Sequence, residues 1–132
     1  MEGIIVKVKE KQNMSFEYTI YGDVMFEFKY SDQELGDRIL NYIRSKREDG
    51  LFTYLKLCRS LISLAIQEEC MIGAEKHVYY QSPQLKPAQY TRVSKLLWKY
   101  ILEGKIFIDF YNNEYVAHSP NDTTFGINQD AV

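Results

Sequence analysis

The sequence predicts an α+β fold, and three observations carry that prediction. The first thirty residues alternate apolar and polar with period two. Two successive stretches in the middle show helical periodicity, and the last third joins a further helical stretch to short alternating runs. Strand patterns that cluster rather than alternating regularly with helices read as α+β. The expected order is an N-terminal three-stranded antiparallel meander, two consecutive helices, a short strand, a third helix and a C-terminal β-hairpin. One domain over residues 1–118 and a polar tail over 119–132 are the expected organisation.

The meander is read from three runs. Ile4, Val6 and Val8 alternate with Ile5, Lys7 and Lys9; Phe16, Tyr18 and Ile20 alternate with Glu17 and Thr19; Val24, Phe26, Phe28 and Tyr30 alternate with Met25, Glu27 and Lys29. Alternation rich in β-branched and aromatic residues marks half-buried strands. Gly22-Asp23 suits a two-residue hairpin turn between the second and third runs, and Gln12-Asn13 is a possible turn between the first two.

Ser31-Asp32-Gln33-Glu34 is a capping box, in which the Ser31 hydroxyl and the Glu34 carboxylate satisfy free backbone N–H groups reciprocally. Asp32 and Glu34 sit where the helix dipole favours anions, Lys46 and Arg47 where it favours cations. Leu35, Ile39, Tyr42 and Ile43 form the buried stripe of this first helix, about 32–47, and Gly50 is its stop. Leu51–Cys70 follows as the main core helix. It holds neither Gly nor Pro, and its apolar residues cover more than half of the circumference. Lys56, Arg59, Gln67, Glu68 and Glu69 interrupt it, so it falls short of the roughly 20 predominantly apolar residues of a membrane span.

His77 to Tyr80 reads as a strand and Ser82 to Lys86 as a loop. Pro87 fits a first helical position and Gly104 the far end, with Tyr90, Val93, Leu96, Leu97, Tyr100 and Ile101 on the core face. Ile106, Ile108 and Phe110 alternate with Phe107 and Asp109. Asn112-Asn113 offers a turn, and Tyr115 to Ala117 returns, closing a hairpin over 105–117.

Composition narrows the function classes. Sixteen Lys and Arg stand against eighteen Asp and Glu, a net charge of −2, which lacks the basic footprint of a dedicated nucleic-acid binder. Cys58 and Cys70, twelve positions apart on one expected helix, are too far apart to bridge at about 1.5 Å of rise per residue. No zinc spacing, phosphate loop or dinucleotide fingerprint is present, so no metal or cofactor is expected. The N-terminus does not read as a secretory signal, and a cytoplasmic setting is expected. His77 and His118 are the only histidines, neither lies beside a nucleophile motif, and catalysis is not expected.

The most suggestive surface lies on the third helix. Trp98 and Leu102, four residues apart, fall outside the core arc, and Arg92, Lys95 and Lys99 cluster near them. Between Lys86 and Lys105 there are five cations and one acid, Glu103. An apolar ridge beside cations suits a protein-contact surface, in which Trp and Arg serve as anchors. The opposing expectation is that Trp98 packs beneath the hairpin and the cations form a solvated rim. Small acidic α+β proteins without catalytic motifs include immunity proteins that neutralise toxins by occlusion. By that analogy of size and class the expected partner is another protein, such as a basic toxin domain, docked against Asp109 and Glu114 with Trp98 and Leu102 at the centre. The alternative is a winged-helix nucleic-acid binder that uses helix 87–103, with Arg92, Lys95 and Lys99 on bases or phosphates, and hairpin 105–117 as the wing.

Overall fold

The computed structural model describes residues 4–7, 18–110 and 123–132. The order is β1 (Ile4–Lys7), β2 (Tyr18–Phe28), α1 (Asp32–Ser45), β3 (Leu51–Thr53), α2 (Tyr54–Gln67), β4 (Met71–Ile72), β5 (Val78–Leu85), α3 (Pro87–Leu102), β6 (Ile106–Ile108) and β7 (Thr124–Ile127), ending in a 3-10 turn at Gln129–Ala131. The fold is α+β, with three helices and two small sheets among the described residues. No helix among the described residues is long and apolar enough to cross a membrane. The chain divides into two compact units, residues 1–29 with 62–90 and residues 30–61 with 91–132.

The first unit is built on β2. β1 pairs with it antiparallel from Ile4↔Tyr21 to Lys7↔Tyr18, β4 pairs antiparallel at Phe28↔Met71, and β5 runs parallel to it from Tyr18↔Val78 to Phe26↔Leu85. The expected meander is therefore corrected. Gly22-Asp23 does not reverse the chain but sits inside one eleven-residue strand. Gly22 does adopt a left-handed φ of 89°, and the register against β5 shifts between Ile20 and Asp23. The dipeptide thus makes a bulge, which bends a strand without ending it. Side chains of β5 pin the irregular spot: Ser82 Oγ donates to Asp23 Oδ1 at 2.9 Å, and Gln81 Oε1 accepts from the Gly22 N–H at 3.3 Å. The expected loop after Gln81 is likewise strand, since β5 continues through Pro83 to Leu85. An edge strand tolerates the missing proline N–H. Phe26, Phe28, Ile62, Ala65, Met71, Val78, Tyr80 and Leu85 are buried in this unit.

The second unit holds a three-stranded antiparallel sheet in the order β3-β7-β6. α1 starts as read: Ser31 Oγ accepts from the Glu34 N–H at 3.1 Å, and Glu34 Oε1 accepts from the Ser31 N–H at 2.9 Å. The core helix starts three residues later than expected. Leu51–Thr53 is strand, paired with Gly126–Thr124, and Thr53 Oγ1 caps α2 by accepting from the Lys56 N–H at 3.3 Å.

The largest correction concerns the C-terminus. The segment expected as a polar tail contains β7, the central strand, all four of whose residues are buried. β6 pairs with β7, from Ile106↔Ile127 to Ile108↔Phe125. The expected return strand at Tyr115–Ala117 and the turn at Asn112-Asn113 lie outside the described residues. Phe52 and Phe125 stack at 5.2 Å on the core face of this sheet, and Leu35, Ile39, Ile43, Leu57, Leu61, Val93, Leu97 and Tyr100 are buried with them in this unit. On the other face, Phe107 lies over Gly126, where a Cβ would collide with its ring.

Candidate protein-binding face

The site is built on α3 and lies within the second unit. Helical periodicity places Val93, Leu97 and Tyr100 inward, and all three are buried. The Tyr100 hydroxyl donates to the Gly36 carbonyl at 2.7 Å, which ties α3 to α1. Lys95, Trp98, Lys99 and Leu102, at spacings of three and four, form one exposed stripe. Trp98 is 56% exposed and Leu102 83% exposed. Trp98 is therefore not packed away beneath neighbouring chain.

Beside the stripe lies a cleft of about 120 Å³. Trp98, Ile101, Ile108 and Phe125 supply its apolar walls, and Tyr54, Ser94 and Thr123 its polar groups. The hydroxyls of Tyr54 and Ser94 bond each other at 3.2 Å. Trp98 belongs to both features, as one wall of the cleft and as the middle of the stripe.

The cations of this region divide into two kinds. Lys86 pairs with Glu27 at 2.6 Å, Arg92 with Asp32 at 2.9 Å, and Lys105 with Glu103 at 2.9 Å. Arg92 also donates from Nη2 to the Tyr30 carbonyl at 2.7 Å, so it fastens α3 to the start of α1. The Lys105 hydrogen bond, with smaller attractions from Lys105 and Lys99, holds the Glu103 carboxyl below its usual range. Lys95 and Lys99 make no ion pair among the described residues, and both lie beside Trp98 on the side away from the cleft; Lys99 lies 5.8 Å from the Tyr100 ring.

Of the other residues singled out in the sequence, Asp109 is half-buried, and its backbone N–H donates to the Thr124 carbonyl at 3.0 Å. Glu114 and His118 lie outside the described residues. His77 is exposed just before β5. Cys58 and Cys70 are free thiols, and burial pushes the Cys58 thiol up to about 12. Among the described residues no group of three His, Cys, Asp or Glu side chains is placed to hold a metal ion. Sequence reasoning does not reach the cleft, because three of its eight lining residues, Ile108, Thr123 and Phe125, come from β6, β7 and the residue before β7. Comparison with protein-family models, curated proteins and solved structures finds no match to the chain.

Proposed function

We propose that the protein is a non-catalytic protein-binding module whose contact face is the Lys95–Trp98–Lys99–Leu102 stripe of α3. One observation carries the reading: a tryptophan and a leucine on the same helix stripe stand 56% and 83% exposed. Large exposed apolar side chains set together mark interaction sites on soluble domains, and tryptophan is the residue most enriched among binding anchors. In its sharpest form the module is an inhibitor, such as a toxin-neutralising immunity protein of the cytoplasm, acting by occlusion. A rigid ridge on a helix suits that role, because little ordering is lost on binding.

The test is capture of partners by the tagged chain from its host, with Trp98→Ala in parallel. A protein recovered in stoichiometric amount by the wild type and lost by the variant, with unchanged circular dichroism, is the expected result. A partner retained equally by both would overturn the use of this face.

A second reading rests on the topology of the second unit. Helix, strand, helix, helix, strand, strand, with the last strand between the other two, is the order of a winged helix, with α3 as its recognition helix. Against nucleic-acid binding, Arg92 is held by Asp32 and Tyr30, and β4 and β5 stand between α2 and α3 in place of a tight turn. Salt-dependent retention on duplex DNA, lost on Lys95→Glu/Lys99→Glu, would favour this reading over the first.

A further inference from the structure

Resting on the protein-binding reading, we infer that the partner contributes an acidic amphipathic segment, one aliphatic side chain of which enters the cleft beside Trp98.

The charge follows from how the cations of the region are used. Five cations lie between Lys86 and Lys105, and three of them are neutralised in place by Glu27, Asp32 and Glu103. The two that form no ion pair among the described residues, Lys95 and Lys99, lie together in the exposed stripe, on the side of Trp98 away from the cleft, and Lys99 has only a minor attraction to Glu103, which Lys105 already holds. An apolar centre with a cationic rim is complementary to an apolar residue bordered by carboxylates. A basic partner, as expected from Asp109 and Glu114, would bring like charge against both lysines. Arg92, which the sequence alone places in the same cluster, adds no free charge to this rim because Asp32 holds it.

The aliphatic anchor follows from the cleft. Its volume of about 120 Å³ is of the order of one aliphatic side chain; an apolar protein cavity of about 150 Å³ takes up a benzene molecule. Ile101, Ile108, Phe125 and Trp98 wall it, and the two hydroxyls at 3.2 Å are directed to each other. A polar or charged side chain placed there would lose water and gain few partners. A leucine, isoleucine or valine loses nothing of the kind. With acidic residues three or four positions away on a helical segment, its carboxylates reach the side of the ridge where Lys95 and Lys99 stand. Phosphates of a nucleic acid would also suit the two lysines, but they leave Leu102 and the cleft unused.

The experiment is selection from a displayed library of random peptides against the full chain at low salt, followed by titration of one synthetic selected peptide with Trp98, the sole tryptophan, as the fluorescent probe. The expected peptides combine an aliphatic residue with aspartate or glutamate three or four positions away. Lys95→Glu/Lys99→Glu weakens the synthetic peptide by about tenfold or more, the scale of electrostatic complementarity at a rim, whereas Lys56→Glu, on the exposed side of α2, leaves it unchanged. Enrichment of basic or uncharged peptides, or affinity indifferent to the double reversal, overturns the acidic assignment. If those peptides are still lost on Trp98→Ala, the protein-binding reading stands without it; if they are not, both fall. No enriched peptide, with duplex DNA bound through the same lysines, overturns the inference in favour of the winged-helix reading.

Discussion

Replacing Arg92 with alanine should destabilise the protein by about 2–3 kcal/mol, and the structure says where that comes from. The guanidinium donates to the Tyr30 carbonyl at 2.7 Å and to Asp32 Oδ1 at 2.9 Å. A hydrogen bond from a charged donor contributes about 1.5–3 kcal/mol. The Asp32 pair contributes less: its carboxylate side chain is 77% exposed, and pairs of that kind are worth roughly 0–1 kcal/mol. The Arg92 side chain is only 24% exposed, so its aliphatic stem adds some packing. Asp32→Ala removes the ion pair and an anion from the first turn of α1, and should cost only about 1 kcal/mol. Urea unfolding of both variants followed by circular dichroism measures the two costs, and repetition in high salt should shrink the Asp32 effect more than the Arg92 effect. If Arg92→Ala lies within about 0.5 kcal/mol of the wild type, the range of an ordinary surface substitution, the fastening role is refuted. Arg92 would then return to the set of candidate ligand contacts.

Three further outcomes follow from the same geometry. Ser31→Ala breaks the capping box and should cost about 1 kcal/mol, measured by the urea midpoint; Glu34→Ala should cost less when Ser31 is already absent, since the two bonds are reciprocal. Gly126→Ala should be destabilising, while in a Phe107→Ala background the same change should be nearly neutral, because the colliding ring is gone; equal costs in both backgrounds would show that the ring does not set the constraint. Cys58 should resist alkylation near pH 8 in the folded protein and react on unfolding, since burial holds its thiol protonated up to about 12. The sign of the associated pH effect is set by the same shift. Between the unfolded value of 9.0 and about 12 the folded chain binds more protons than the unfolded one, so stability should fall as pH rises through that window.

Local signals were legible and long-range pairings were not. The capping box at Ser31, the Pro87 start of α3 and the left-handed Gly104 (φ 75°) after it could be read directly, because each is decided by a few adjacent residues. Gly22-Asp23 fits a turn as well as a bulge, because a glycine with positive φ serves either one. What decides between them is pairing with Ser82, some sixty positions on. No Gly or Pro separates Leu51–Thr53 from the following helix, so the sequence runs the two together; Thr53 as a cap is the one local signal of the boundary. β7 is only four residues, TFGI, set among polar neighbours. Nothing in such a run announces a central strand until β3 and β6 are placed on either side of it.

The binding face shows the same division at the level of side chains. Spacing alone puts Trp98 and Leu102 on one stripe away from the core residues, and their exposure follows from that. Spacing cannot separate Arg92 from Lys95 and Lys99, because all three are cations on one helix. The difference is made 60 positions away, where Asp32 stands at the start of α1 and takes the guanidinium. Arginine suits that fixed, two-acceptor geometry, with one nitrogen on a carboxylate and another on a carbonyl, while a lysine ammonium on a flexible stem suits a solvated rim. The residue type therefore agrees with the role at each position: the arginine locks the helix that carries the face, and the lysines border the tryptophan. Exchanging them, with Arg92→Lys and Lys95→Arg, keeps the charge unchanged. It should nevertheless lower stability through position 92 while leaving the rim cationic.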